Sequence, residues 1–211
     1  MTVVKICGIT LLKDAIGAIE AGADWIGFNF YPQSSRFISP QACLNITNYL
    51  IQHQFSVGLV GVFVNEKPSQ VMELLDYCGL HLAQLHGDES KSELMQLKNQ
   101  AYKAIRPKDQ LELEGLLQNY ANPLVMPNLL VDTFNPNVYG GSGESGNWSL
   151  AKIAASKYKV LLAGGLNTEN VALAIHSVAP WGVDVASGVE SRPGKKDIKK
   201  MKEFVHRAKE V

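Results

Sequence analysis

The chain has 211 residues, of which 46% are hydrophobic and 19% charged, proportions that are typical of an ordinary globular protein. Its formal net charge is zero, which argues against a broad basic surface for nucleic acid or acidic membranes. No run of 18 apolar residues occurs and the N-terminus leads directly into a strand, so we expect neither a transmembrane helix nor a signal peptide.

The cysteines indicate a reducing environment. The chain has three of them, Cys7, Cys43 and Cys78, which are widely separated and lack the spacing of metal ligands. We therefore expect a cytoplasmic protein without disulfides or structural zinc.

Short apolar runs alternate with longer amphipathic segments along the whole chain. The runs predict strands at about 3–6, 24–30, 57–64, 81–85, 101–106, 128–132, 158–163 and 182–186. The segments that follow them predict helices at Leu11–Ala21, Pro40–His53, Pro68–Tyr77, Ser90–Asn99, Gln110–Asn119, Ser149–Ser156, Asn167–Val178 and Lys196–Lys209.

Eight strand–helix units without an intervening linker predict one α/β domain over residues 1–211, folded as a (β/α)8 TIM barrel. An open doubly wound sheet would use fewer strands and would usually carry G-x-G-x-x-G after the first of them. The chain has C-G-I-T at that point, which favours the barrel.

The first predicted strand ends at Cys7, within V-V-K-I-C-G-I-T at residues 3–10. Chemistry in parallel α/β barrels takes place at the carboxyl ends of the strands, so this thiol is a candidate acid/base or nucleophile. A free cysteine is more often a small buried hydrophobic residue, which is the alternative. Thr10 is placed to start the first helix.

Other strand ends carry further polar side chains. Asp132 closes N-L-L-V-D-T, and an acid and a base on one barrel face are what an isomerisation requires, although a helix cap or an ion pair is the alternative. His86 could be a general base or a hydrogen-bonded structural residue. Arg36 has the planar fork that binds a carboxylate, but a surface arginine is commoner. The remaining candidates of this kind are Asn29, Ser34, Ser35, Asn65, Gln84, Asp88, Arg106, Thr133, Asp184, Ser187 and Glu190.

Two glycine-containing turns follow the seventh and eighth strands. Gly164-Gly165 comes after V-L-L-A, and Ser187-Gly188 after V-D-V-A. In barrels these loops bind phosphate through backbone N–H groups and a nearby helix end, although a tight turn alone would also use Gly-Gly. We therefore expect a phosphorylated small-molecule substrate.

Metal and cofactor signals are missing. The candidate ligands are scattered, no H-x-H or H-E-x-x-H pattern occurs, and no lysine ends the sixth strand as a Schiff-base aldolase would need. We expect no metal and no cofactor. Tyr139–Asn147 is rich in glycine and predicts a mobile loop able to cover a site.

Motifs along the whole chain resemble the phosphoribosylanthranilate isomerase family of tryptophan biosynthesis. They are K-I-C-G-I-T, G-F-N-F with S-S-R-F-I-S, G-V-F-V-N, Q-L-H-G-D-E, V-D-T, G-G-S-G, L-A-G-G-L-N-T-E-N-V, G-V-D-V-A-S-G-V-E and P-G-K-K-D. The resemblance implies a (β/α)8 barrel and an Amadori rearrangement of an aminoaldose to a ketose without a cofactor.

The resemblance also implies roles for single residues. Asp132 would be the general acid and Cys7 the general base. Arg36 would hold the anthranilate carboxylate, and His86 and Asp184 would line the pocket. The phosphate would be bound by Gly164, Gly165, Ser187 and Gly188. Because a free thiol titrates near 8.5, the Cys7 anion needs local support, for which the N–H groups of the C-G turn are a candidate.

The family pattern fails in one place. Residues 141–148 read G-S-G-E-S-G-N-W where the family commonly has G-T-G-K-T-F-D-W. Glu144, Gly146 and Asn147 thus replace basic, aromatic and acidic residues, so loop closure, turnover and substrate affinity are expected to differ.

Three alternatives remain at this point. The related histidine-pathway isomerase uses paired aspartates, against which Cys7 argues, and it needs a second phosphate site. A non-catalytic phosphate-binding barrel would lack an intact acid/base pair. A fusion to indole-glycerol-phosphate synthase would be longer, so we expect a monofunctional chain. We expect this chain to be a monomer or a homodimer.

Overall fold

The computed structural model describes residues 1–133 and 148–211. Eight parallel strands close into a barrel in sequence order, each paired with its neighbours and the last with the first. They are β1 Val3–Cys7, β2 Trp25–Asn29, β3 Gly58–Phe63, β4 Leu82–Leu85, β5 Ala101–Ile105, β6 Leu129–Asp132, β7 Val160–Ala163 and β8 Gly182–Val185. The predicted (β/α)8 barrel is confirmed.

Helices follow the strands as the periodicity predicted. They are α1 Leu12–Glu20, α2 Pro40–Gln52, α3 Pro68–Cys78, α4 Lys91–Gln96, α5 Gln110–Tyr120, α6 Trp148–Ala155, α7 Val171–Val178 and α8 Ile198–Lys209. A short antiparallel hairpin, β9 Glu190–Arg192 with β10 Lys195–Lys196, follows β8 and was not predicted. No helix within the described ranges is long and apolar enough to cross a membrane.

Alternating side chains on each strand build two separate cores. Leu129 and Val131 of β6 belong to the large cluster between barrel and helices, whereas Leu130 belongs to a smaller cluster inside the barrel. Because both faces of a parallel strand are covered, the strands are mostly apolar. The inner cluster also includes Val60, Tyr102, Ala104, Val125, Leu161 and Ala163. Packed side chains thus fill part of the barrel interior, leaving room for a site at the strand ends.

Helix starts depend on contacts that the sequence only partly reveals. Ser39 caps α2, since its hydroxyl oxygen accepts from the Ala42 N–H at 3.3 Å and Pro40 follows at the first helical position. Thr10 does not cap α1. It donates to the Gly194 carbonyl at 2.8 Å, which ties the end of β1 to the β9–β10 hairpin.

The start of α7 also differs from the prediction. The helix begins at Val171, four residues later than expected, because the Asn167 side chain accepts from the N–H groups of Glu169 and Asn170 in a turn of its own. The N-terminus of α7 is therefore farther along the chain from Gly165 than the sequence suggested.

Candidate active site

A pocket of about 520 Å³ opens at the carboxyl ends of the barrel strands. Most of the predicted site residues line it, namely Cys7, Arg36, His86, Asp132, Gly164, Gly165, Asp184 and Ser187. Gly188 is not among the lining residues. Its backbone bridges to Asn167, and a methyl group there would collide with the Leu166 carbonyl.

Cys7 lies buried at the last position of β1, directly opposite Gly27 of β2. The N–H groups of Gly8 and Ile9 both donate to the Gly27 carbonyl at 2.9 Å. The expectation that the C-G turn supports a Cys7 anion is therefore wrong, because the carbonyl of the neighbouring strand already takes these donors. Gly8, with φ 77°, is needed here because a methyl group would clash with the Arg36 side chain.

Two lysines supply the positive charge that this turn does not. Burial raises the pKa of the Cys7 thiol, because the thiolate loses its hydration. The charges of Lys5 and Lys196 lower that pKa and Asp184 raises it, and the net result is a pKa above the ordinary value. The raised pKa favours the thiol form of Cys7, and the two lysine charges stabilise the thiolate when it forms.

Lys5 is itself buried inside the barrel and belongs to a polar network. Its ammonium donates to Asp184 at 2.9 Å and to Gln84 at 2.8 Å. Burial lowers the pKa of Lys5, but the charge and hydrogen bond of Asp184 together with the charges of Cys7 and Tyr102 outweigh it, so the pKa lies above its ordinary value. We did not predict Lys5, although its place two residues before Cys7 puts both side chains on one face of β1.

Arg36 reaches the pocket from the loop after β2 and is held by Glu190. Its Nε and Nη2 both lie 2.8 Å from the Glu190 carboxylate, a bidentate pair. Lys196 contacts the same carboxylate at 2.9 Å. Burial raises the pKa of Glu190, but these two cations outweigh it and lower that pKa. Two of the five Arg36 N–H donors thus serve to orient the guanidinium.

Asp132 ends β6 and receives two donors on one oxygen. Its Oδ2 lies 3.1 Å from Arg106 Nε and 3.4 Å from His86 Nε2. Further along, His86 Nδ1 lies 2.8 Å from Gln84 Nε2. Asp132 is therefore tied through His86 to the same buried network as Lys5.

The two loops expected to bind phosphate lie side by side, because β7 and β8 are neighbours. Gly164 and Gly165 both have positive φ, 102° and 67°, which bare glycine backbone adopts without strain. Together with Ser187 they border the pocket at these strand ends. This arrangement is suited to an anion that accepts backbone hydrogen bonds.

Some candidates fall elsewhere. The Asn65 side chain accepts from the Asp88 N–H at 2.6 Å and joins the loops after β3 and β4 outside the pocket. The mobile loop expected at 139–147, with Ser142, Glu144, Gly146 and Asn147, lies outside the described residues. In ranges 1–133 and 148–211, no group of three or more His, Cys, Asp or Glu residues could hold a metal ion.

The pocket combines an acid, a thiol and cationic groups around a glycine-lined end. A thiol with cationic neighbours can take a proton, and a carboxyl group can give one. The arginine suits a carboxylate and the glycine loops suit a phosphate. The arrangement is able to transfer protons on a small anionic molecule.

Comparison with known proteins gives full-length matches. The family model described as N-(5'phosphoribosyl)anthranilate (PRA) isomerase matches residues 4–207. A protein of Trichlorobacter lovleyi named N-(5'-phosphoribosyl)anthranilate isomerase is 44% identical over 212 residues, covering 100% of both chains.

Solved structures agree over the same length. The crystal structure of phosphoribosyl anthranilate isomerase from Thermotoga maritima has a TM-score of 0.86 and 40% identity, covering 100% of both chains. A second crystal structure has a TM-score of 0.84 and 38% identity at 100% coverage of both. It holds the isomerase in complex with reduced 1-(o-carboxyphenylamino)-1-deoxyribulose 5-phosphate.

Proposed function

Because the chain belongs to the N-(5'-phosphoribosyl)anthranilate isomerase family, we propose that it isomerises N-(5'-phosphoribosyl)anthranilate in tryptophan biosynthesis, with Asp132 as general acid and Cys7 as general base. The product is 1-(2-carboxyphenylamino)-1-deoxyribulose 5-phosphate. The observation that carries the proposal is that both side chains line one pocket at the carboxyl ends of β1 and β6.

The reaction begins at the furanose ring. Asp132 donates its proton to the ring oxygen while the nitrogen lone pair expels it from C1', which gives an open-chain Schiff base. The cationic nitrogen makes the C2' hydrogen acidic, so a thiolate suffices to remove it. Cys7 takes that proton and leaves an enolamine, which gains a proton at C1' and loses its O2' proton to become the ketone.

The substrate's two anionic ends fit the two ends of the pocket. Arg36, already oriented by Glu190, is proposed to bind the anthranilate carboxylate through its other N–H groups. Gly164, Gly165 and Ser187, which line the pocket, are proposed to bind the phosphate through backbone N–H groups. A contact from Gly188, which lies outside this lining, stays a prediction. His86 and Asp184 border the reacting carbons in this proposal. No metal or cofactor is required by any of these steps.

Three further expectations stay predictions. They are one domain over residues 1–211, a cytoplasmic location, and a monomeric or homodimeric state.

The activity is tested by the loss of anthranilate-type fluorescence when substrate is generated in situ from anthranilate and phosphoribosyl pyrophosphate. Cys7→Ala and Asp132→Asn are each expected to lower kcat by about 100-fold or more, since general acid–base groups contribute that much. Circular dichroism checks that the variants remain folded.

Matched controls separate chemistry from structure. Cys43→Ala removes another buried thiol, on α2, and Asp24→Asn removes a carboxylate that precedes β2. Both are expected to retain wild-type kcat within about threefold, the range of a modest packing change. Near-wild-type turnover by Cys7→Ala would overturn the base assignment, and an inactive wild type would overturn the activity.

A further inference from the structure

A chain of hydrogen bonds runs from the buried barrel interior to Asp132. It begins at Gln84, whose Oε1 lies 2.8 Å from Lys5 Nζ and 2.9 Å from the Tyr102 hydroxyl. All three side chains are at most 1% exposed. Gln84 is therefore fixed from two sides in a place without competing solvent.

The partners of Gln84 settle which way its amide faces. An ammonium group has only donors, so the atom against Lys5 must be the amide oxygen. A flipped amide would place its NH2 against the Lys5 ammonium and leave both unpaired, a costly arrangement in a buried site. Nε2 of Gln84 therefore faces His86.

The orientation of Gln84 determines where His86 carries its proton. Nε2 of Gln84 can only donate, and it lies 2.8 Å from His86 Nδ1, so Nδ1 is the acceptor. The imidazole proton is then on Nε2, which lies 3.4 Å from Asp132 Oδ2 and donates to it. While this holds, His86 has no lone pair at Nε2 with which to act as a base.

Asp132 Oδ2 also receives the Arg106 Nε donor at 3.1 Å. Asp132 Oδ2 is therefore held by two N–H donors, one from His86 and one from Arg106. We propose that Gln84 is a positioning residue that holds His86 as an Nε2–H donor to Asp132 Oδ2, and so fixes the orientation of the carboxyl group that delivers the proton.

This inference rests on the proposed function, because it concerns the delivery of a proton by Asp132. It assigns to His86 the role of a fixed donor rather than the general base that its sequence position left open. It also gives the buried cluster of Lys5, Gln84 and Tyr102 an indirect role in the proton transfer, because these residues act through His86.

The first test uses the wild-type protein and needs no turnover. Long-range ¹H–¹⁵N correlation spectra of histidine-labelled protein report which ring nitrogen carries the proton. Among the signals of the five histidines, that of His86 is identified as the one that His86→Asn removes. We expect a protonated Nε2 and a bare Nδ1 for His86. A proton on Nδ1 with a bare Nε2 would overturn the inference.

The second test changes the donor. Gln84→Glu replaces the amide by a carboxylate of the same shape, which turns the group facing Nδ1 into an acceptor. We expect His86 Nδ1 to gain a proton in the spectrum. We expect kcat to fall about 10-fold or more with KM changed less than about threefold, because the proton donor is affected rather than substrate binding.

Further variants keep the second test decisive. Gln84→Met keeps the volume without the amide and is expected to lower kcat while His86 no longer holds one tautomer. Gln70→Glu makes the same charge change on an exposed face of α3 and is expected to leave both readouts at wild type. If Gln84→Glu leaves the His86 spectrum and kcat unchanged, the inference is wrong. If wild type does not turn over, the proposed function fails, while the spectra still decide the role of Gln84.

Discussion

Cys7 shows how two opposing effects act on one proposed base. Burial raises the pKa of its thiol, whereas the charges of Lys5 and Lys196 lower it. Of these two cations, Lys5 is paired with Asp184, whose charge raises the Cys7 pKa. Lys196 is paired with Glu190 and reaches the site from the hairpin after β8. The reactivity of Cys7 thus depends on a residue 189 positions later in the chain.

A pH profile tests the contribution of Lys196. A base acts only when deprotonated, so kcat/KM rises as the pH rises through the pKa of Cys7. Lys196→Gln removes a charge that lowers this pKa, so we expect the rising limb of kcat/KM to move to higher pH. Glutamine can still donate a hydrogen bond to Glu190, which keeps Arg36 in place.

Lys195→Gln provides the matched control, since it is the preceding residue of β10 and is only half-buried, whereas Lys196 is buried. Its kcat/KM profile is expected to coincide with that of wild type. A Lys196→Gln profile that coincides with wild type, or moves to lower pH, would contradict the assigned effect.

The pairing of β1 with β2 determines the space available to the thiol. Cys7 lies opposite Gly27, and a Cβ added to Gly27 would be 2.8 Å from Sγ and 3.2 Å from Lys5 Cε. Glycine at this position therefore leaves room for the Cys7 side chain against β2. The sequence shows only a glycine in a strand, for which a bulge would be an equal explanation.

Gly27→Ala is expected to displace the thiol and to lower kcat by about 10- to 100-fold, since small errors in the placement of a reacting group are costly. Gly115→Ala is the comparison, because Gly115 is inside α5 and a Cβ there meets nothing within 4 Å. This second change is expected to raise the free energy of unfolding by roughly 0.5–1 kcal/mol at unchanged kcat.

Steady-state kinetics and urea unfolding measure the two effects. A Gly27→Ala enzyme with wild-type kcat would show that the thiol position is not limited by this contact.

The closure of the whole barrel brings its first and last strands together at a buried ion pair. Lys5 on β1 and Asp184 on β8 are 179 positions apart, and their 2.9 Å contact connects the strands that complete the barrel. The pair is 0% and 8% exposed. Loss of one partner would leave an uncompensated charge in the barrel interior.

Lys5→Met is therefore expected to lower the free energy of unfolding by about 3–5 kcal/mol. Lys5→Met combined with Asp184→Asn should recover part of that loss, because the orphaned charge is gone. Lys209→Met breaks a partly exposed pair with Asp24 and is expected to cost at most about 1 kcal/mol. Urea unfolding of wild type, Lys5→Met, Asp184→Asn and the double variant gives the coupling between the two side chains. Equal losses for Lys5→Met and Lys209→Met would contradict the argument.

Much of the architecture could be predicted from the chain because it depends on local pattern. The eight strands lie within about two residues of the predicted runs, since apolar runs and turn residues are properties of neighbouring positions. The rule that strand ends share one face of a barrel then brought Cys7, His86 and Asp132 to one pocket before any contact was known.

The tertiary structure decided which groups pair with each other. Glu190 orients Arg36 from 154 positions away, and Gln84 meets Lys5 across 79 positions. The N–H groups of Gly8 and Ile9 donate to the Gly27 carbonyl rather than to Cys7. Periodicity assigns a side chain to a face of its strand, but partners at such separations follow only from strand register and barrel closure, which no local pattern contains.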